Sequence, residues 1–534
     1  MEHLEVFIAV LFVSVAGLNV LARRLSVPYP IPLVIGGLVL GLLPGMPDIE
    51  LDPDLVLLIF LPPLLYSAAF FSDLRALRDN VRPISLLSIG LVLATIPVVA
   101  VLAHEVMEMP WAVAFVLGAI VAPTDPVAAT AVMRRLGAPR RLVNVIEGES
   151  LVNDATALVA YRVAIAAALG GSFSLFDATL EFLGAATGGI AIGLVVGFAV
   201  GEIRRRIEDV PTELTISLLT AYAAFIPAEE LGLSGVLAAV TCGVYLGWRA
   251  PEIASAQTRL EGFAVWSILV FLLNAVLFIL IGLQLPLVLD GLEARAAGEL
   301  IGYAALVYLA VVGTRFAWLM TVPYAIRALD RRPQQRARRI GWRERVVAGW
   351  SGLRGAVSLA AALALPLETD SGAAFPERDL ILFITFALIL ATIVGQGLTL
   401  PALIRRLGIR ADAAEEEAEE VRARLAAAKA ALARLDELEG DGGREVSDDT
   451  LRRVRAMYEF RRRRFKAQAG LLEDDDDGIE DRSRAYQRLM LELYEAQRRA
   501  VVALRNDGTI SNDVMHRVER DLDLEETRLE VTRG

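Results

Sequence analysis

Residues 1–410 alternate long apolar runs with short clusters of arginine, and no other property of the chain restricts its fold so tightly. The apolar segments fall at about 4–22, 29–45, 55–71, 83–103, 111–133, 142–166, 179–201, 213–228, 231–248, 263–286, 299–323, 345–365 and 380–403, thirteen spans by hydropathy. A run of roughly 17–25 apolar residues can cross about 30 Å of hydrocarbon as a helix. A mean hydropathy of +0.51 over 534 residues is too high for a soluble chain of this size, so a multi-pass, all-helical membrane protein is expected. Residues 411–534 contain no such run.

Arginine tests the span count independently, because short cytoplasmic loops collect basic residues and external loops do not. With every second loop taken as internal, 25 of the 30 arginines in residues 1–410 share one side. They are Arg23/24, Arg75/78/82, Arg134/135/140/141, Arg204/205/206, Arg249/259, the eight from Arg327 to Arg345, and Arg405/406/410. The opposite side receives only Arg162, Arg295 and Arg378. This alternation predicts an odd number of helices, an outside N-terminus and a cytoplasmic tail. The N-terminal segment has no basic residues before its apolar stretch and has Arg23 and Arg24 after it, so it reads as a retained first span.

The formal charge of −11 divides into −3 for residues 1–410 and −8 for 411–534. The tail reads as a charged helical domain with breaks at GDGG and EDDDDG. The second break imitates a calcium loop, but with Gly478 at position six the twelfth position is Arg484, where a bidentate carboxylate is needed. Arg461–Arg464 read as a solvated helix face, with a patch for anionic lipid as the second reading. Cys242 reads as a packing residue. His3, His104 and His516 are too isolated for a zinc site.

Three stretches break the apolar pattern. In the fifth span Pro123 and Pro126 bracket Thr124 and Asp125, and each proline removes an amide donor and crowds the preceding turn. In the twelfth span Gly349, Gly352 and Gly355 flank Arg354 and loosen the helix in the same way. Paired interruptions at corresponding positions of two halves are the sequence sign of an inverted-repeat transporter with its site at the midplane. The sixth span carries IEGESLVNDATALVAYR at 146–162. On a helix, Ser150 and Asp154 share a face that Glu147 extends by one turn, and Glu149 and Asn153 form a second pair about 100° away.

These positions suggest that Ser150 and Asp154 look toward Thr124 and Asp125, while Glu149 and Asn153 look toward Arg354 and the helix breaks. An ionised Glu149 would offset Arg354, which cannot be deprotonated. Asp154 would lack a fixed cationic partner, and a buried carboxylate so placed can hold a proton or a small cation. If one of the two must be bound before the site changes its facing, the protein exchanges one for the other. With Asn153 beside Asp154 in place of a second Asp, one coupled proton is available per monovalent cation, which predicts electroneutral exchange. Glu147 is read as either a mouth residue or a structural one, and Arg315 and the Glu229/Glu230 pair as structural or loop charges. Asp125 could instead cap the amides of the broken helix.

At these residues the chain resembles the bacterial NhaP-type sodium/proton antiporters of the monovalent cation:proton antiporter family, which are related to the animal sodium/proton exchangers. The matching stretches are IFLPPLLYSAAF at 59–70, APTDPVAATAV at 122–132, EGESLVNDATALV at 147–159 and GLRGAVSLA at 352–360. The resemblance covers residues 1–410. It implies a thirteen-helix inverted-repeat fold, a homodimer in the plasma (inner) membrane, and alternating access by movement of a six-helix core against a dimer-forming domain, serving pH and sodium homeostasis. It also implies that Asp154 binds the ion and the proton, and that Thr124, through its carbonyl, with Ser150 and Asp125 completes the site. Glu149 would act through water or its pair with Arg354, and Asn153 would hold the broken fifth helix. Lys is absent from residues 1–410, which separates the chain from the electrogenic branch.

Sodium is the expected ion, with lithium and potassium as alternatives. No cofactor beyond the transported ions and no nucleic-acid partner is expected. An intramembrane aspartyl protease using Asp125 and Asp154 is the rival of another class, but neither residue lies in a YD or GxGD context. A channel is disfavoured because one poised carboxylate suits occlusion better than a row of weak sites.

Overall fold

The computed structural model describes residues 2–531 except 26, 44–52, 171–174, several positions between 285 and 294, and 330–339, 371, 411–412, 441–446 and 469–478. Part of the 44–54 loop, several arginines of the 327–345 cluster and the Glu473–Gly478 stretch that imitates a calcium loop lie outside the described residues. The chain is helical and forms two compact units, Met1–Ala411 and Asp412–Gly534.

Helices of the first unit are α1 (Glu2–Leu25), α2 (Pro30–Gly41), α3 (Pro53–Phe70), α4 (Leu74–Asp79), α5 (Val81–Met107), α6 (Trp111–Val121), α7 (Val127–Arg135) and α8 (Arg140–Ala168). They continue with α9 (Leu175–Arg204), α10 (Val210–Glu230), α11 (Gly235–Ile253), α12 (Ala256–Leu283), α13 (Ala297–Leu329), α14 (Trp342–Trp350), α15 (Ala356–Leu363) and α16 (Arg378–Leu407). Each of the thirteen apolar segments contains helix. Among the described residues seven helices are long and apolar enough to cross a membrane unaided. Helix α2, with 12 residues, spans only about 18 Å at 1.5 Å per residue.

Both expected interruptions are present. Helix α6 stops at Val121 and α7 resumes at Val127, so Pro123 and Pro126 fall in the non-helical Ala122–Pro126 link. Helix α14 stops at Trp350 and α15 resumes at Ala356, leaving Ser351–Gly355 outside the helices. Helices α5–α8 and α13–α16 pack into one group of six spans, two of them interrupted, while α1–α3 pack with α9–α12. Both links are thereby enclosed in protein, where freed carbonyls and amides can find partners. Two π-helical turns, Leu86–Leu91 in α5 and Ala391–Gln396 in α16, lie in the six-span group, and the second reaches the α14/α15 link through Thr392.

Large apolar side chains such as Val195, Phe198, Ile301 and Leu309 point outward, as a surface facing lipid tails requires. The second unit contains α17 (Ala413–Gly440), α18 (Asp448–Gln468), α19 (Ile479–Asn506) and α20 (Asn512–Val531). Helices α17 and α18 bury Val421, Leu425 and Phe465 together, and Arg455 on α18 pairs with Asp436 and Glu439 on α17 at 2.6 and 2.9 Å.

Candidate cation site

The two interrupted helices meet at their links. The Asp125 amide donates to the Leu353 carbonyl at 2.8 Å, tying one link to the other. The Asp125 carboxylate accepts from the Val127 amide at 2.8 Å, which satisfies a free donor at the positive end of α7. Its other flank lies against Gly355, where a Cβ would collide with the carboxyl group. Gly355→Ala is therefore expected to displace Asp125, lowering stability by about 1–3 kcal/mol. Thermal unfolding of the purified variant together with its transport rate checks this; wild-type values for both would contradict the close approach.

Arg354 is 2% exposed and donates to carbonyls of both links. Its Nε reaches Val121 at 3.1 Å, Nη2 reaches Ala122 at 3.5 Å and Nη1 reaches Gly352, while its amide donates to Thr392 Oγ1 at 3.1 Å. The guanidinium thus sits at the negative C-terminal end of α6 and supplies donors to carbonyls left without amide partners. The two links are charge-complementary: a carboxylate faces a helix N-terminus and a guanidinium faces a helix C-terminus.

Helix α8 passes beside both links and presents its two polar faces differently. Ser150 and Asp154, on one face, line a cavity of about 350 Å³ together with Thr124 and Asp125. Asp154 is 7% exposed, and among the described residues no side chain forms an ion pair with it. On the other face Glu149 and Asn153 are each 1% exposed. Asn153 Nδ2 donates to Thr124 Oγ1 at 2.9 Å, and Thr124 Oγ1 donates to Glu149 Oε1 at 3.2 Å.

The partner of Glu149 is Arg315 of α13, not Arg354 as the sequence suggested. Arg315 engages both carboxylate oxygens, Nη2 to Oε2 at 2.9 Å and Nη1 to Oε1, and its Nε donates to the Ala348 carbonyl of α14 at 3.0 Å. Both charged groups are nearly inaccessible, at 2% and 1% exposure. The reason is geometric: two guanidinium groups compete near one carboxylate, and Arg354 is consumed by the carbonyls of the links. Arg315, like Arg354, lies inside a predicted span, where a charge is expected to face the protein interior and pair there, and its partner is Glu149. Thr124, Glu149, Arg315 and Ala348 therefore connect α8 to both interrupted helices.

Glu147 sits at the cavity mouth, where it pairs with Arg134 at 2.6 Å in partly exposed surroundings. Asn274, Ser67 and Ser358 also line the cavity and were not singled out by sequence. Ser67 and Ser358 lie inside the IFLPPLLYSAAF and GLRGAVSLA stretches, whereas Asn274 stands in an apolar run and its amide donates to the Val270 carbonyl at 2.9 Å.

A membrane-embedded bundle with two interrupted helices crossing at an unpaired buried carboxylate defines a secondary cation/proton antiporter. The chain belongs to the sodium/hydrogen exchanger family, whose transmembrane model matches residues 9–406. It is 37% identical over 532 residues to an uncharacterised Na+/H+ exchanger of Mycobacterium tuberculosis (strain ATCC 25618 / H37Rv), covering 98% of this chain and 96% of the relative. It is 33% identical over 408 residues to a sodium, potassium, lithium and rubidium/H+ antiporter of Bacillus subtilis (strain 168), covering 74% of this chain and 61% of the relative. Its fold is similar to that of the sodium proton antiporter MjNhaP1 from Methanocaldococcus jannaschii, with a TM-score of 0.56 at 19% identity, covering 76% of this chain and 99% of that structure.

Proposed function

We propose that the protein exchanges one sodium or lithium ion for one proton at Asp154, without net charge movement. The observation that carries this reading is the charge balance of the buried assembly. Arg315 and Arg354 are permanently cationic. Glu149 is matched to Arg315, and Asp125 is matched to the amide at the head of α7. Against these two positive charges stand the three carboxylates Glu149, Asp125 and Asp154, leaving one negative charge. A single bound proton or a single monovalent cation cancels it, so both loaded forms of the site carry the same charge.

In this reading Asp154 is the exchangeable ligand, with Ser150, Asp125 and the Thr124 carbonyl as further oxygen donors. Oxygen donors of this kind suit a hard alkali cation. Asn153 keeps Thr124 in place, and Glu149, Arg315 and Arg354 hold the two interrupted helices at a fixed distance from the ligand. The six-span group would change its facing against the remaining helices only when Asp154 is neutralised. The arginine pattern supports an outside N-terminus and a cytoplasmic tail, and the family resemblance supports residence in the inner membrane and a homodimer.

Vesicle transport tests the reading. In everted vesicles holding a preset pH gradient, added sodium should dissipate the gradient; no response to sodium, lithium or potassium would overturn antiport. The rate should not change when the membrane potential is clamped at different values. A sodium-driven proton flux that follows voltage would contradict the one-for-one stoichiometry.

A further inference from the structure

A second cavity, lined by none of the proposed ion ligands, lies at the arginine-rich end of the six-span group. It has a volume of about 400 Å³ and is bounded by the first turns of α5 and α8, the end of α13 and the body of α14. Its wall along α13 is apolar, with Trp318, Val322 and Ile326. Its charged residues are Arg82, Arg141 and Arg345 against Asp79, and Arg141 Nε donates to Asn80 Oδ1 at 3.1 Å. The lining therefore combines basic groups with a hydrocarbon-like wall.

Arg345 is the informative residue. It is 5% exposed, its Nη2 donates to the Tyr324 hydroxyl at 3.2 Å, and its guanidinium lies 4.8 Å from the centre of the Tyr324 ring. Its Nε and Nη1 are buried without a hydrogen-bond partner, and among the described residues no carboxylate forms an ion pair with it. A permanent cation buried with unused donors is strongly unfavourable unless an anion completes it.

We propose that this cavity binds an anionic phospholipid, with its phosphate against Arg345 in the positive field of Arg82 and Arg141, and an acyl chain along Trp318, Val322 and Ile326. Charge complementarity selects an anion, and the apolar wall selects one that carries a hydrocarbon chain over free phosphate. The site also reaches the transport machinery: Ala348 lines the cavity, and its carbonyl accepts from Arg315, the partner of Glu149. Lipid bound here steadies α14 and, through it, the brace behind the cation site.

The test uses the delipidated full-length protein, with phosphatidylglycerol, phosphatidylcholine and inorganic phosphate as probes and thermal unfolding and lipid retention in native mass spectrometry as readouts. Phosphatidylglycerol should raise the unfolding temperature and stay bound, whereas phosphatidylcholine and inorganic phosphate should do neither. Arg345→Gln should weaken phosphatidylglycerol retention roughly fivefold, the share of one arginine facing an anionic headgroup. Val322→Trp, which keeps every arginine and fills the chain-binding wall, should weaken it as well, and this variant carries the test if Arg345→Gln does not fold. No effect of phosphatidylglycerol on the wild type, equal stabilisation by phosphatidylcholine or by phosphate alone, or full retention in Val322→Trp would each overturn the proposal.

Discussion

Replacing Asp154 with asparagine should abolish cation-driven proton flux while the protein still reaches the membrane. The side chain keeps its size and polarity, so packing against Ser150 and the two links is preserved. It can no longer take up a proton or present a charged oxygen to a cation. Without the carboxylate neither the proton nor the cation has its charged ligand, so exchange should fall by about a hundredfold or more, roughly 3 kcal/mol at about 1.36 kcal/mol per tenfold. Ser150→Ala removes one neutral donor and should raise the half-maximal sodium concentration several-fold without abolishing exchange, since a neutral hydrogen-bonding group contributes about 0.5–1.5 kcal/mol. Transport in vesicles with matched protein levels separates the two, and equal effects would remove Asp154 from its central place.

The second large effect concerns stability. Arg315→Ala leaves Glu149, 1% exposed, without its bidentate partner, at a cost of about 3–5 kcal/mol, enough to deplete the folded protein. Adding Glu149→Gln should recover much of that loss, because the unpaired charge disappears with it. Arg354→Ala behaves differently: it leaves the Val121, Gly352 and Ala122 carbonyls without a donor, so Glu149→Gln should not rescue it. A double-mutant cycle on folded yield and unfolding temperature distinguishes these cases. Rescue of Arg354→Ala but not Arg315→Ala would restore the pairing that the sequence suggested.

The sequence was most informative where covalent chemistry restricts the backbone. Pro123 and Pro126 cannot serve a continuous helix, so the interruption could be placed from the letters alone. Helical periodicity likewise assigned Ser150 and Asp154 to one face and Glu149 and Asn153 to another. Which arginine neutralises Glu149 was not legible, because Arg315 and Arg354 lie 166 and 205 positions further along the chain and only packing decides between them. Arg354 lies within a glycine-rich interruption beside the other break, whereas Arg315 lies in a span that carries no interruption. The length of α2 was overestimated because hydropathy continues through Leu42 and Leu43 after the helix ends at Gly41. Asn274 and Arg345 were invisible as cavity residues for a similar reason: cavities are formed by neighbours from separate helices.

Competition between a proton and a cation for Asp154 is the central claim, and proton release on cation binding tests it most directly. Sodium titrated into the purified protein by calorimetry, in buffers of different ionisation enthalpy at a pH where Asp154 is protonated, should release about one proton for each ion bound. The Asp154→Asn protein should release none. Sodium binding with no proton release from the wild type, or unchanged release from Asp154→Asn, would contradict the account.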